Sequence, residues 1–128
     1  MHYLLDTHNF LWFINDDKQL SRKAAKAIAD TDAIKCISIA SFWEISIKIN
    51  IGKIELDMAF SELRQHMMLN GFELLPIKFE HTTSLCTLDL HHRDPFDRMI
   101  IAQALTENLV VVSKDAHSVK YKDLQLLW

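Results

Sequence analysis

The sequence predicts an α/β fold, a three-layer α/β/α sandwich in which helices cover both faces of a central parallel sheet of about four to five strands. Short apolar runs alternate with helix-like segments along the whole chain, an order typical of parallel sheets. The length of 128 residues suits one domain with one core. Apolar residues make up 49% of the chain, with two glycines and two prolines, which is typical of globular proteins. We therefore expect residues 1–128 to form a single domain.

The chain opens with a predicted strand and a predicted helix. His2 to Leu5 is a short apolar run that indicates a buried strand. Asp6 to His8 can cap a helix that continues through Leu11 to Phe13. Asn15 to Asp17 is polar and would end that helix.

A second helix and a second strand follow. Ser21 is a plausible N-cap for Arg22 to Ala29, whose Ala, Lys and Arg residues have strong helix propensity. Ile34 to Ile39 is apolar and predicts the second strand.

The segment 45–51 supports two interpretations. Isoleucine alternates there with polar residues, and on periodicity alone this favours a strand. However, Ser38 or Ser41 could cap a helix, the apolar residues also repeat at three- and four-residue spacing, and Gly52 suits a helix end. We prefer a helix, an interpretation that the family resemblance described below supports.

The next part of the chain contains a helix, a strand and a weaker helix. Residues 59–69 are amphipathic and end at Asn70-Gly71, a good helix stop. Residues 72–77 predict a strand and residues 80–88 a weaker helix, followed by a polar corner at 89–93.

The strongest helix prediction lies near the end of the chain. Asp94 can cap a helix over 95–105, and the proline that follows Asp94 fits the first helical position. Residues 109–112 then predict a buried strand, 116–121 a short helical turn and 124–127 a last strand.

Four acidic residues, far apart in sequence, follow predicted strands or lie on helices beside them: Asp6, Glu44, Asp97 and Asp115. The carboxyl ends of parallel strands share one edge of a sheet, so these side chains are expected to meet. Helix capping is the alternative for Asp6 and Asp115, an interaction with the helix dipole for Asp97, and solvated surface for Glu44. Their joint placement favours a site for Mg²⁺ or Mn²⁺, with one or two ions.

Other polar residues flank these acids. Thr7 and Ser113 could hydrogen-bond the proposed ligands, with turn capping as the alternative. Asp94 is more consistent with a helix cap than with a ligand. Arg98 could form an ion pair with the neighbouring Asp97 or contact a phosphate.

Several basic residues near these motifs could contact a phosphate backbone: Lys48, Lys53, Arg93, Arg98 and Lys114. Solvated surface is the alternative for each. The aromatic residues Trp12, Phe13, Phe42 and Trp43 are expected in the core or at a subunit contact rather than in a base-stacking platform.

Composition and motifs argue against several other classes. The net charge of −3 disfavours a nucleic-acid partner at first sight, although it becomes +1 once the four acids are set aside. The seven histidines lack zinc-site spacing, and we interpret them, His91 and His92 included, as solvated loop residues. Cys36 and Cys86 are expected to be buried, reduced thiols in a cytosolic protein. No glycine-rich phosphate loop or membrane-length apolar run is present. We expect no signal peptide, because Asp6 interrupts the first apolar run.

The chain resembles the PIN-domain ribonucleases, specifically the VapC-type toxins of bacterial toxin–antitoxin pairs. The motifs that carry this resemblance occur in order along nearly the whole chain: Leu5-Asp6-Thr7-His8 with Leu11-Trp12, Ser38-Ile39-Ala40-Ser41-Phe42-Trp43-Glu44-Ile45 with Lys48 and Gly52-Lys53, His92-Arg93-Asp94-Pro95-Phe96-Asp97-Arg98-Met99-Ile100-Ile101-Ala102-Gln103-Ala104, Ser113-Lys114-Asp115, and Leu127-Trp128. Ser113 stands where the family usually has Thr, and the hydroxyl is kept.

The resemblance implies an α/β/α fold and a metal site formed by Asp6, Glu44, Asp97 and Asp115, with Asp94 as an auxiliary residue. It implies hydrolysis of RNA by water activated on Mg²⁺ or Mn²⁺, giving 5′-phosphate and 3′-hydroxyl ends. It also implies a homodimer and an antitoxin that blocks the active edge, with Trp12, Phe13 and the early helices as candidate contacts.

Two alternatives belong to other functional classes. A receiver-like signalling domain also gathers Asp residues and Mg²⁺, but it normally has an acidic pair after the first strand, whereas Thr7 follows Asp6 here. A non-enzymatic binding module would use the acids only as helix caps. Metal titration with an RNA-cleavage assay separates these cases.

Overall fold

Five parallel strands form the centre of the fold in the computed structural model, which describes residues 1–128. The strands are β1 (His2–Leu5), β2 (Ile34–Ser38), β3 (Phe72–Leu75), β4 (Val110–Val112) and β5 (Gln125–Leu127). They pair in the order β3-β2-β1-β4-β5. The helices are α1 (Thr7–Ile14), α2 (Arg22–Ala29), α3 (Ile39–Asn50), α4 (Leu63–Leu69), α5 (Phe79–Cys86) and α6 (Pro95–Glu107), with 3-10 turns at Phe60–Glu62 and Ala116–Lys120. The predicted parallel α/β architecture is confirmed.

Polar caps set where three of the helices begin. Ser21, Ser38 and Asp94 each accept a hydrogen bond from a backbone N–H of the helix that follows, at 3.1, 3.0 and 2.8 Å. Because Ser38 caps α3, β2 ends one residue earlier than the sequence suggested. The segment 45–51 is helical through Asn50, so the preferred interpretation of that segment is confirmed.

The apolar core lies on both faces of the sheet, as a three-layer arrangement requires. Leu5 and Val112 face one side, where they pack in a cluster that includes Phe10 of α1. Leu4 faces the other side and packs in a second cluster with Ile100 of α6. Adjacent strand residues thus bury opposite faces, which fixes the register of β1 between its neighbours.

Two predictions in the outer parts of the fold are corrected. β3 ends at Leu75 rather than residue 77, because Pro76 has no N–H to donate to a neighbouring strand. Cys86 is exposed and not buried, since it lies at the end of α5. Cys36 is buried as expected, and burial together with the charges of Glu73 and Glu107 raises the pKa of its thiol to about 11.

None of the helices has the length and apolar character needed to cross a membrane.

The strand order places a topological switch point between β1 and β4. The chain proceeds from β1 to β2 and β3 on one side, then returns to add β4 and β5 on the other. The N–H of Asp6 donates to the carbonyl of Val112, at 3.2 Å, at the carboxyl ends of these two strands. Ligands of open α/β sheets bind in the crevice at such a point.

Candidate metal centre

Three of the four predicted acids line one cavity at the switch point. Asp6 leaves β1, Asp115 follows β4, and Asp97 lies in the first turn of α6. The cavity has a volume of about 430 Å³ and is lined by these acids together with His8, Asn9, Trp12, Gln19 and Lys114. The carboxyl edge of the sheet therefore gathers acids that are up to 109 positions apart in sequence, from Asp6 to Asp115.

Asp6 both caps α1 and faces the cavity. Its Oδ1 accepts hydrogen bonds from the backbone N–H and the Nδ2 of Asn9, at 2.9 and 2.8 Å. Both bonds go to Oδ1, which leaves Oδ2 available to a ligand. Asn9 is fully buried and holds this carboxylate in place, a role that the sequence analysis missed. The sequence did contain a signal for this role, because the side chain of an Asn three positions after a capping Asp can reach back to that carboxylate.

The carboxyl of Asp97 has the most perturbed pKa among the acids. Burial raises its pKa from the ordinary 3.8 to about 7, and the nearby carboxylates add to the rise: Asp94, Glu44, Asp115 and Asp6, in order of effect. Each of the other three predicted metal-site acids is thus close enough to act on Asp97 electrostatically. A cavity lined by several carboxylates is suited to a cation.

Glu44 is buried on α3 and lies within the electrostatic reach of Asp97, although it does not line the cavity. Its Oε2 accepts a hydrogen bond from Lys48 Nζ at 2.6 Å. Its Oε1 is buried and has no hydrogen-bond partner. An unpartnered buried carboxylate oxygen is costly, and a bound divalent cation would satisfy it. The donor set therefore fits an oxygen-ligated metal.

Asp115 is held by hydrogen bonds on both oxygens. Oδ1 accepts from the backbone N–H of His117 at 2.9 Å, and Oδ2 lies 2.6 Å from Nε2 of His92. Partial burial raises its pKa, but the His117 N–H and the His92 ring outweigh that effect, so the pKa of Asp115 is lowered. Ser113 Oγ accepts a hydrogen bond from the backbone N–H of Asp115 at 3.0 Å. Ser113 therefore caps this turn, which was the alternative to hydrogen-bonding a ligand side chain.

The interpretation of the histidines as solvated loop residues is wrong for His81, which is fully buried on α5, and for His92. His92 is only 7% exposed, and its ring reaches Asp115. His92, Asp97 and Asp115 each present one potential ligand atom, and these atoms lie within 4.8 Å of one another. The position of His92 beside the Arg93-Asp94 motif was the only sequence signal, and histidine spacing gave none.

Two of the predicted auxiliary residues serve the fold instead. Thr7 is buried and its Oγ1 donates to Ser41 Oγ at 2.9 Å, which joins α1 to α3 and not to an acid. Arg98 forms no ion pair with Asp97. Its guanidinium donates to the carbonyls of Asp89 and Leu88, at 2.9 and 3.3 Å.

We expect Arg98→Met to lower the free energy of unfolding by about 1 to 2 kcal/mol, because two loop carbonyls lose a charged donor. Urea denaturation measures this loss. Arg93→Met is the control, because Arg93 is exposed on the same loop, and its effect should stay within about 0.5 kcal/mol. Equal stabilities of the two variants would contradict the anchoring role of Arg98.

The predicted phosphate-contacting bases occupy different positions. Lys114 is exposed and lines the cavity. Lys48 is paired with Glu44, as described above. Lys53 and Arg93 are exposed and do not line the cavity. Lys114 is therefore best placed to meet an anion there.

The four aromatic residues predicted for the core or a subunit contact occupy different environments. Phe42 is buried, and Phe13 packs against Phe72 with ring centroids 5.3 Å apart. Trp12 lines the cavity and contacts Trp128, at 5.9 Å between ring centroids. Trp43 is 59% exposed, so it is available on the surface of α3 and does not belong to the core.

Comparison with known proteins identifies the family. The PIN domain family matches residues 3–124. No curated protein sequence matches the chain. VapBC2 from Rickettsia felis, bound to a DNA fragment from its promoter, has a TM-score of 0.72 and 16% identity over 99% of this chain and 98% of that chain.

Two further solved structures share the fold. DNA-bound VapBC from Salmonella typhimurium has a TM-score of 0.72 and 17% identity over 99% of this chain and 97% of that chain. VapBC-1 from nontypeable Haemophilus influenzae has a TM-score of 0.65 and 19% identity, with the same coverage of 99% and 97%. At these identities the similarity concerns the fold.

Proposed function

The chain belongs to the PIN domain family, and we propose that it is an endoribonuclease that depends on Mg²⁺ or Mn²⁺ and acts as the VapC-type toxin of a bacterial toxin–antitoxin pair. The observation that carries this proposal is the cluster of carboxylates around Asp97, at the switch point of a parallel sheet. A receiver-like domain is disfavoured, because Thr7 is buried against Ser41 where a receiver would have a second acid.

The proposed metal ligands are the four acids identified from the sequence: Asp6, Glu44, Asp97 and Asp115. The available Oδ2 of Asp6 and the unpartnered Oε1 of Glu44 support this assignment. One or two divalent cations held there would activate water for attack on a phosphodiester and offset charge in the transition state. Asn9 and His117 would keep two of the carboxylates oriented through the hydrogen bonds described above.

The remaining residues of the site would bind and position RNA. Lys114, exposed at the rim of the cavity, would attract the phosphate and hold it near the acids. Lys48 would balance the buried charge of Glu44 and could reach a phosphate, because a third of its side chain is exposed. These basic groups contact the backbone, so sequence preference would come from elsewhere in the RNA-binding surface.

We also propose a cognate antitoxin, a homodimer and a cytoplasmic location. The solved structures named above are toxin–antitoxin complexes, which supports an antitoxin partner for this chain. Exposed apolar residues on and just after α3, namely Trp43, Ile47 and Ile51, offer surface for protein contacts. Co-expression with small proteins encoded beside this gene, followed by co-purification, tests the antitoxin proposal. Light scattering of the purified chain tests the homodimer proposal.

The proposed activity is tested by incubating the purified chain with RNA in Mn²⁺ and in EDTA. We expect cleavage in Mn²⁺, a loss of at least about 100-fold in EDTA and recovery when Mn²⁺ is restored, because the acids alone cannot activate water. Mapping of product ends should show 5′-phosphates and 3′-hydroxyls. Cleavage that persists in EDTA, or cyclic phosphate products, would contradict the mechanism.

A further inference from the structure

His92 lies between a proposed metal ligand and a buried tyrosine. Its Nε2 is 2.6 Å from Oδ2 of Asp115, and its Nδ1 is 2.9 Å from the hydroxyl of Tyr121. The two rings are stacked, with centroids 5.4 Å apart and planes 8° from parallel. Tyr121 is only 5% exposed, so both the packing and the hydrogen bond are protected from water.

The hydrogen-bonding capacity of Asp115 fixes the direction of its bond to His92. An ionised Asp115 can only accept, so the proton must lie on Nε2 of His92. The Tyr121 hydroxyl can donate to Nδ1 or accept from it, so this second hydrogen bond forms in either arrangement. Both ring nitrogens of His92 are thus satisfied, and the ring can neither flip nor rotate without losing two hydrogen bonds.

The loop that carries His92 is itself anchored. Arg98 holds the carbonyls of Leu88 and Asp89, four and three residues before His92. The ring of His117 also packs against His92 in an edge-to-face arrangement, with ring centroids 5.6 Å apart. A ring constrained by its loop, by two hydrogen bonds and by two aromatic neighbours is suited to orienting another group.

We propose that His92 is a positioning residue for the metal centre: it holds Oδ2 of Asp115 through Nε2–H, while Tyr121 keeps its ring in the orientation that this bond needs. The inference rests on the proposed function, because it assigns Asp115 a metal-binding role. Removal of a residue that orients a metal ligand in this way typically weakens metal binding by about 10- to 100-fold. His92 itself does not touch the substrate.

The test is isothermal titration of the metal-free chain with Mn²⁺, which measures affinity without relying on cleavage. His92→Phe keeps an aromatic ring against Tyr121 but removes both nitrogens, and its Kd should rise about 10- to 100-fold. His92→Gln keeps an N–H donor near the position of Nε2, so its Kd should rise only a few-fold. Tyr121→Phe, which removes the hydroxyl, should give a smaller rise than His92→Phe.

His91→Phe is the matched control. His91 is the adjacent histidine and packs edge-on against Tyr121 at 4.8 Å between ring centroids, but it makes no hydrogen bond to Asp115. Its Kd for Mn²⁺ should equal that of the wild type. A fall in the melting temperature of both metal-free variants would report lost packing, whereas a rise in Kd that occurs in His92→Phe and not in His91→Phe would report positioning.

The outcomes separate this inference from the proposed function. Wild-type affinity in His92→Phe would overturn the inference, as would a His92→Gln variant that is as weak as His92→Phe. Nitrogen coupling to bound Mn²⁺ that disappears in His92→Gln would make His92 a ligand and would also overturn it. A wild-type chain that cleaves RNA with Mn²⁺ leaves the proposed function standing in all these cases, and one that binds no Mn²⁺ overturns both.

Discussion

Asp97→Asn is expected to reduce RNA cleavage by at least about 1,000-fold, equivalent to about 4 kcal/mol of transition-state stabilisation. The reason is that Asp97 sits among the other carboxylates of the site and supplies one of the charges that would hold the cation. Initial rates at saturating Mn²⁺ measure the loss. A variant with wild-type rates would contradict the assignment of Asp97.

The same substitution should make the metal-free protein more stable at pH 8. Burial and neighbouring carboxylates raise the pKa of Asp97 from 3.8 to about 7, so between these values the folded chain binds a proton that the unfolded chain has released. The contribution of this group to stability is therefore full below about pH 4 and is lost as the pH rises through about 7. Asn carries no charge and avoids the loss.

We expect a gain of about 2 kcal/mol in the free energy of unfolding of Asp97→Asn at pH 8, allowing for solvent screening of a half-buried group. The gain should disappear near pH 4. Urea denaturation in EDTA at both pH values measures it. A variant that is inactive and also less stable at pH 8 would point to damaged folding instead of a lost metal ligand.

Asp6→Asn is expected to have a comparable effect on cleavage, about 1,000-fold, with little change in stability. Asn keeps the Oδ1 that accepts the N–H of Asn9 and caps α1, so the helix start is preserved. It replaces the available Oδ2 with a neutral amide and removes a full negative charge from the cavity. Initial rates and urea denaturation, run together, separate these two effects.

Asp30→Asn provides a matched control for Asp6→Asn. Like Asp6, Asp30 accepts a backbone N–H at its Oδ1, in this case from Asp32, but it lies at the end of α2 and outside the candidate metal centre. Its cleavage rate should be unchanged. Loss of activity in both variants would mean that the assay reports general destabilisation.

Local patterns in the sequence were sufficient to predict the layers of the fold. Strand runs such as Val110–Val112 are short and apolar, and caps such as Ser21 and Asp94 begin helices where expected. The segment 45–51 was harder, because its isoleucines lie on more than one side of α3. Ile45 is buried whereas Ile47 is 38% exposed, so the period of two arose from apolar residues on the surface.

The convergence of Asp6, Asp97 and Asp115 on one cavity could be predicted because the topology brings the carboxyl ends of the strands together. The neighbours of these acids could not, because they depend on three-dimensional contacts. Arg98 follows Asp97 in sequence, yet consecutive residues on a helix do not face each other, and Arg98 turns toward the preceding loop. His92 is buried because Tyr121, 29 positions later, covers its ring. Thr7 likewise meets Ser41 only once α1 packs on α3.

Anomalous diffraction from crystals grown with saturating Mn²⁺ tests most directly whether the four distant carboxylates form one cation site. The account predicts a manganese peak at coordination distance from Asp6, Asp97 and Asp115, with Glu44 bound directly or through water. Absence of a peak, or a peak confined to acids elsewhere on the surface, would contradict it.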